Sequence, residues 1–403
     1  MGAVGGMIVF ALGIALTIAL HEWGHMRAAL ACGMRVRRFY VGFGPTVFNF
    51  RRGNIEYGLK AIPLGGFCDI AGMTALDPVT PEEEPYAMVK RPWWQRVFVL
   101  SGGVLMNIVV GVVLIYISAI SWGIPNMHAD VSARVGETTC VAPRQLDAST
   151  LEDCTGNGPA AKAGIRAGDV ITAVNGEPTP TFVDVRSALQ PLSGQEATLE
   201  IQRDGATEQL SVPVTAAERL GPSGETVTVG AIGIVAAPVP DAIKTYSPAA
   251  AVPATAEFTG TMFSSTVSGL AALPGKLPGV AYSIAGGDRD EQSPMSVVGA
   301  TRLGGELAER NQWPMFVLML ASLNFFLALF NVVPLPPLDG GHIAVVLYEK
   351  ARDGFRRLQG RAPAGPADYT KLMPITYAAA AFLLLIGVVT IVADVVNPIR
   401  IFG

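Results

Sequence analysis

Charge is scarce in this chain: only 15% of its 403 residues are Asp, Glu, Lys or Arg, and 29 bases against 33 acids leave a formal charge of −4. So neutral a balance, with no Lys/Arg cluster interleaved with aromatics, excludes nucleic acid as an expected partner. No internal repeat or long low-complexity tract is present, which sets aside repeat architectures. Histidine and cysteine number four each, so the position of every one is informative.

What the chain has instead is apolar surface. Half of its residues are hydrophobic and the mean hydropathy is +0.40, a balance that belongs to a membrane protein. Four stretches lack Lys and Arg and are long enough to cross a hydrocarbon core of roughly 30 Å. They are Val4 to Met26, Phe98 to Ile124, Trp313 to Val333 and Pro374 to Val392, each expected to be a helical span. The first could be read as a signal peptide, but it has no basic n-region and runs into His-Glu-Trp-Gly-His rather than a small-residue cleavage site, so a retained span is expected.

The charges that do occur are distributed unevenly. Met26 to Val97 carries bases such as Arg35, Arg37, Arg38, Arg51 and Arg52, and Leu335 to Leu372 carries Lys350, Arg352, Arg356, Arg357 and Arg361. By the positive-inside bias both are cytoplasmic. The long segment from Pro125 to Gln312 holds more acids than bases, and span parity places it and the N-terminus outside. Cys32 and Cys68 then fall on the reducing side, whereas Cys140 and Cys154 are external, where a local disulfide is plausible; two unlinked thiols are the alternative.

The expected fold is therefore a polytopic α-helical membrane protein of about four transmembrane helices, with a membrane-associated β region and an external α+β domain. Its divisions are 1–124, holding the first two spans; 125–240, the external domain; 241–312, a connector; and 313–403, the last two spans. Val36 to Gly66 alternates apolar and polar residues around glycines, which predicts strands joined at Arg51-Arg52-Gly53-Asn54. The acidic loop Asp77 to Pro85 and RPWWQRV follow, with Trp93 and Trp94 placed for the headgroup region. In the external domain DVITAVNG, ATLEIQRDG and EQLSVPV predict strands and Phe182 to Leu189 a helix. Ala249 to Leu277 presents Phe258, Met262, Val267, Leu270 and Leu273 at near-helical spacing, as a membrane-surface helix would, although packing on the domain would use the same stripe. Ala285 to Ser293 is expected to be an exposed loop.

The chemistry concentrates in ALHEWGHM. His21 and His25 are i and i+4, so on a helix both imidazoles project from one face and can bind one metal, with Glu22 beside them. That set suits zinc, which lowers the pKa of a water to about 7 while a nearby carboxylate relays its proton. A chance HExxH is the bland alternative. Ionisable groups in an apolar span, however, cost about 2.5 kcal/mol or more each and are tolerated mainly where they pair or bind a ligand. A further protein ligand is needed, and the third span ends in FNVVPLPPLDGGH. Pro334, Pro336 and Pro337 break the helix there and present Asp339 at membrane depth; a simple helix cap by Asp339, or ligation by His342, are the alternatives.

With these motifs the chain resembles the site-2 protease family of intramembrane zinc metalloproteases, in its PDZ-containing bacterial, actinobacterial branch. The resemblance covers HExxH, GFGP, IPLGGF, RPWWQRVFVLSGGVLMN and NVVPLPPLDGG. It implies Zn2+ held by His21, His25 and Asp339, Glu22 as catalytic acid/base, and Asn331, Pro334 and Pro336 as a loop that shapes the site and holds substrate backbone. Asn107 and Asn324 match polar positions inside helices two and three, where interhelical bonding is the plainer role. GNGPAAKAGIRAGDVITAVNGEP resembles a PDZ signature, single here where some relatives carry two in tandem, with Gly230 to Ile234 as the strand beside the peptide groove. The implied substrates are single-pass membrane proteins already cut by another protease, such as anti-sigma factors or signal-peptide remnants, met within the lipid bilayer. A catalytically silent scaffold would have lost the base or a ligand, and all four residues are present. A metal transporter would line a path with carboxylates, and beyond Glu22 and Asp339 the spans are nearly bare.

Overall fold

The structure, a computed structural model, describes residues 2–146, 150–221, 226–287, 289–290 and 293–399. The chain forms two compact units: Met1–Ile124, Thr245–Ile284 and Ser293–Ile399 make the first, and Pro125–Lys244 is the body of the second. Asp288, Glu291 and Gln292, in the expected loop from Ala285 to Ser293, lie outside the described residues.

The first unit opens with α1 (Ala3–Ala31), followed by strands β1 (Val36–Arg52) and β2 (Ile55–Ile70). The strands form a long antiparallel hairpin turning at Gly53, whose φ of +62° suits a residue without Cβ. Alternation predicted this hairpin; its repeated register shifts show how glycines and Pro45 interrupt the ladder. Arg37 on β1 pairs with Asp77 at 3.1 Å and Glu83 at 2.8 Å, pinning the acidic loop against the hairpin and holding the Glu83 carboxyl down at about 2.

The second apolar stretch departs from the expected single helix. It divides into α2 (Trp93–Leu100) and α3 (Gly102–Ser121), with Ser101 between them. The division lies where α1 packs closest: a Cβ on Gly24 of α1 would lie 2.2 Å from the Gly102 carbonyl oxygen, so the two elements meet backbone to backbone there. Hydropathy does not register such a division, because Gly-Gly is apolar enough to pass as span.

In the second unit come the short α4 (Pro159–Lys162) and α5 (Phe182–Leu189). Thr181 and Asp184 close a capping box at the start of α5. The antiparallel sheet runs in the order Ile234–Ala236, Ala133–Thr138, Val170–Val174, Glu196–Arg203, Ala206–Pro213. Its inner face buries Val135, Ile171, Leu199, Ile201 and Val212 with Val185 and Leu189 of α5. Asn175 and Gly176 both have positive φ and turn the chain from Val170–Val174 into Glu177–Pro178. Cys140 and Cys154 are joined by a disulfide, and Cys32 and Cys68 are free thiols.

The chain then adds α6 (Pro248–Ile284), α7 (Val297–Glu309), α8 (Trp313–Val332), α9 (Asp339–Leu358) and α10 (Met373–Val396) to the first unit. Of the stripe read on α6, Phe258 and Met262 pack, with Ala251 and Phe263, against α3 and α8 around Ile115, Leu318 and Phe325, while Val267 stays exposed. The helix continues through Pro274 and Pro278 to Ile284, past the expected end. No expectation covered α7, whose Gly304 and Gly305 let it lie directly on Phe10, Met7 and the Ala3 carbonyl of α1. Ser296 caps α7, and its own amide donates to Asp394 of α10 at 2.6 Å. Among the described residues, α1, α3, α8 and α10 are long and apolar enough to cross a membrane.

Candidate metal centre

α1 carries both histidines because its apolar sequence continues without a breaker through the HExxH turn. His21 and His25 are one turn apart, and their Nε2 atoms are 3.2 Å from each other. The Val99 carbonyl, at the break between α2 and α3, is 2.8 Å from His25 Nδ1. A carbonyl only accepts, so Nδ1 donates and Nε2 keeps its lone pair for a ligand.

The third donor comes from α9. After Val332 the chain turns through Pro334 and Pro336, and Asp339 is the first residue of α9 rather than a member of the broken loop. Gly340 and Gly341 permit this: a Cβ on Gly340 would lie 2.2 Å from the Val332 carbonyl oxygen, and one on Gly341 2.7 Å from Pro336 N. The first turn of α9 thus folds tightly onto the end of α8. Asp339 Oδ2 stands 3.3 Å from His21 Nε2 and 3.3 Å from His25 Nε2.

Three donor atoms in a triangle of 3.2 to 3.3 Å suit a tetrahedral ion. Bond lengths of about 2.0–2.2 Å set tetrahedral donors roughly 3.3–3.6 Å apart. The donor set, two imidazoles and a carboxylate, is one that zinc uses in catalytic sites with an open fourth position. Among the described residues these three alone form such a cluster. Glu22 lies beside it, with β2 passing over its stem: a Cβ on Gly66 would be 3.0 Å from Glu22 Cγ, and the Cys68 backbone reaches the carboxylate.

The remaining candidates divide. Asn324 is fully buried and donates to Thr17 Oγ1 of α1 at 3.2 Å and to the Leu320 carbonyl at 2.8 Å, an interhelical bond. Asn107 is also fully buried, yet neither its amide nitrogen nor its oxygen has a hydrogen-bond partner among the described residues. Asn331 is half-buried near the end of α8, Pro334 is exposed and Pro336 half-buried. His342 stacks on Tyr369, ring centroids 6.0 Å apart.

Sequence reasoning missed Gly103. A Cβ there would sit 2.4 Å from His25 Nε2 and 2.5 Å from His21 Nε2, so only glycine leaves room for both imidazoles. The signal was present in SGG at the head of the span, where a paired glycine has no use in a helix facing only lipid.

A HExxH helix closed by a carboxylate from another helix, inside a set of apolar spans, defines a membrane-embedded zinc metalloprotease. Residues 9–364 match the model of Peptidase family M50, the site-2 protease family, and the chain belongs to that family. It is similar over its length to Zinc metalloprotease Rip1 of Mycolicibacterium smegmatis, 48% identical over 403 residues and 98% of each chain. It is 44% identical to Zinc metalloprotease Rip1 of Mycobacterium tuberculosis strain H37Rv over 404 residues, 99% of each chain. A more distant relative is Membrane metalloprotease ARASP, chloroplastic, of Arabidopsis thaliana, 29% identical over 84% of this chain and 69% of the relative.

Proposed function

We infer that this enzyme cleaves single-pass membrane proteins within or beside the bilayer, with His21, His25 and Asp339 as the zinc ligands and Glu22 as acid/base. The observation that carries the reading is the triangle of donors at 3.2 to 3.3 Å with a carboxylate beside it on the same helix. Zinc bound there supplies Lewis acidity toward water and the scissile carbonyl. Glu22 accepts the proton of the attacking water and returns it to the departing amine. The Val99 carbonyl fixes the His25 tautomer, and β2, passing over Glu22, limits where its carboxylate can point. Asn331, Pro334 and Pro336 shape the entrance for an extended substrate backbone.

The sheet of residues 125–240 is read as a PDZ-like domain on the extracytoplasmic side, with 241–312 as connector between two membrane regions, 1–124 and 313–403. The strand expected at Gly230 to Ile234 is divided, Gly230 and Ala231 ending a strand of a separate two-stranded sheet, and it is Ile234–Ala236 that lies at the edge of the main sheet, where strand addition of a peptide would take place. Anti-sigma factors and signal-peptide remnants, trimmed first by another protease, are the substrate classes proposed. Glu22→Gln tests the core of the reading, because the amide is nearly isosteric but cannot take the proton. Purified variant should keep its zinc and lose cleavage, and membrane-fragment proteomics of cells carrying it should reveal the substrates. Substantial residual turnover would remove Glu22 from its role.

A further inference from the structure

α9 does more than deliver Asp339. Its first turn is buried at Gly340 and Gly341 where it folds onto the end of α8, and further along Val346 and Glu349 face inward and are buried. Its outer face is apolar and uncovered: Leu347 is 45% exposed, Tyr348 60%, Phe355 63% and Leu358 87%. At 3.6 residues per turn these four, with the exposed Ala351 among them, share one continuous stripe of about 100°. The same geometry sets bases on both margins of the stripe, Lys350 and Arg357 on one side and Arg352 and Arg356 on the other, with Arg361 just beyond the helix.

Glu349 and Asp353, the acids of α9 nearest those bases, form no ion pair with Lys350, Arg356, Arg357 or Arg361 among the described residues, and only Arg352 is offset. Glu349 is paired with Arg96 at 2.6 Å inside the protein, and Asp353 is paired with Arg352 at 3.0 Å. Lys350 lies 5.7 Å over the Trp93 ring, and both Trp93 and Trp94 of α2 are exposed beside it. Arg356 donates to the Ala362 carbonyl at 2.8 Å and forms no ion pair among the described residues.

We propose that the outer face of α9, with Trp93 and Trp94, is a docking surface for anionic phospholipid headgroups, on which α9 lies in the plane of the membrane with its first residue in the metal centre. A stripe of Leu, Tyr, Phe and Leu bracketed by Lys and Arg on both sides is the pattern of an interfacial helix. The apolar residues enter the acyl boundary, and the long cations reach phosphates on either side. Indole rings prefer the same depth. A second protein copy would fit less well, since the cores of protein interfaces are depleted in lysine. Uncompensated cations favour an anionic headgroup over a zwitterionic one. Because α9 begins at Asp339, its depth in the leaflet bears on how that carboxylate meets the two histidines.

The test uses the full-length enzyme in phosphatidylcholine vesicles, with and without phosphatidylglycerol, on a Cys32→Ala, Cys68→Ala background. Nitroxides are placed singly by Leu347→Cys, Phe355→Cys, Leu358→Cys and Arg357→Cys. The first three should collide with oxygen, which concentrates in lipid, and the last with a water-soluble nickel chelate. Nickel access at all four positions, or shielding of the stripe from both reagents as a second protein would cause, overturns the proposal. In the second arm Lys350→Gln, Arg356→Gln, Arg357→Gln and Arg361→Gln are combined on the native background. Phosphatidylglycerol retained by the purified enzyme should fall several-fold, with melting in phosphatidylcholine unchanged. Equal retention by a variant that melts as the parent does would also overturn it. Neither arm reads cleavage, so the outcome is separate from the fate of the proteolytic reading.

Discussion

The Arg96 guanidinium donates to the Glu349 carboxylate at 2.6 Å, both side chains buried, and thereby ties α2 to α9. The other Glu349 oxygen accepts from the Ala367 amide at 2.7 Å. α2 carries the Val99 carbonyl that orients His25, and α9 begins with Asp339. One ion pair therefore joins the elements behind two of the three donors.

Removing one partner of that pair leaves the other charge buried without compensation. Glu349→Leu or Arg96→Met alone should destabilise the first unit by about 3–5 kcal/mol, whereas the two together should cost much less. Thermal melts of the three variants in one detergent check this. Single variants that melt like the parent would show that water reaches the pair.

Gly103→Ala should weaken zinc binding with little effect on the fold, because the atoms nearest the new methyl are those of the two imidazoles, at 2.4 and 2.5 Å. A loss of about 10- to 100-fold in metal affinity is expected, the range seen when a ligand's support is removed. Gly111→Ala is the control: its methyl would meet the Phe325 ring at 2.8 Å and should lower stability while zinc is retained. Equal zinc loss in both variants would remove the special role of position 103.

How much of this was legible from residue order depends on whether a feature is local. The i, i+4 histidines on an apolar helix and the Pro-rich approach to Asp339 are local, and so were readable. The division at Ser101 was not, and neither was the close approach of Gly24, on another helix, to Gly102 beside it. α7 was missed because its contact face is made of Gly304 and Gly305, which carry no hydrophobic signal, and its cap depends on Asp394 far along the chain. Asn324 could be singled out as a polar residue in a span, but its partner Thr17 is a matter of helix packing. Asp339 at the head of a helix, rather than within a loop, follows from the close approach that Gly340 and Gly341 allow.

The second unit should show a pH signature at Asp169, which is buried and accepts from Arg203 Nε at 2.8 Å, Arg203 Nη2 at 2.6 Å and the Arg166 amide at 2.8 Å. Burial pushes this carboxyl up, but the fork of Arg203 together with the amide and charge of Arg166 outweighs it and holds the group below its ordinary value. A depressed folded pKa means stability that is present above the unfolded value of about 3.9 and is lost as pH falls through the lower, folded one. Arg203→Met should reverse the sign. Burial then dominates, the folded pKa rises, and the variant is weakest at neutral pH and recovers on acidification toward the ordinary Asp range. Hydrogen exchange of Val170–Val174 in the full-length enzyme against pH reads both cases. The same slope in parent and variant would show that Arg203 is not the controlling partner.

The assignment of the third ligand can be decided between Asp339 and His342, the two nearest candidates in the LDGGH run. Imidazole is the commoner zinc ligand, and residue type alone favours His342. Geometry favours the carboxylate: Asp339 Oδ2 is 3.3 Å from both histidine nitrogens and has no hydrogen-bond donor among the described residues, so a cation is what would neutralise it. His342 sits almost a full turn further along α9, and its ring stacks on Tyr369. Asp339→Asn keeps the shape of the side chain but removes its charge, so zinc per protein and cleavage should fall together. His342→Ala should retain most of its zinc, with any loss of activity arising from the freed Tyr369 contact. Metal stoichiometry on both purified variants is the measurement, and the opposite order, zinc kept by Asp339→Asn and lost by His342→Ala, would transfer the ligand role to the imidazole.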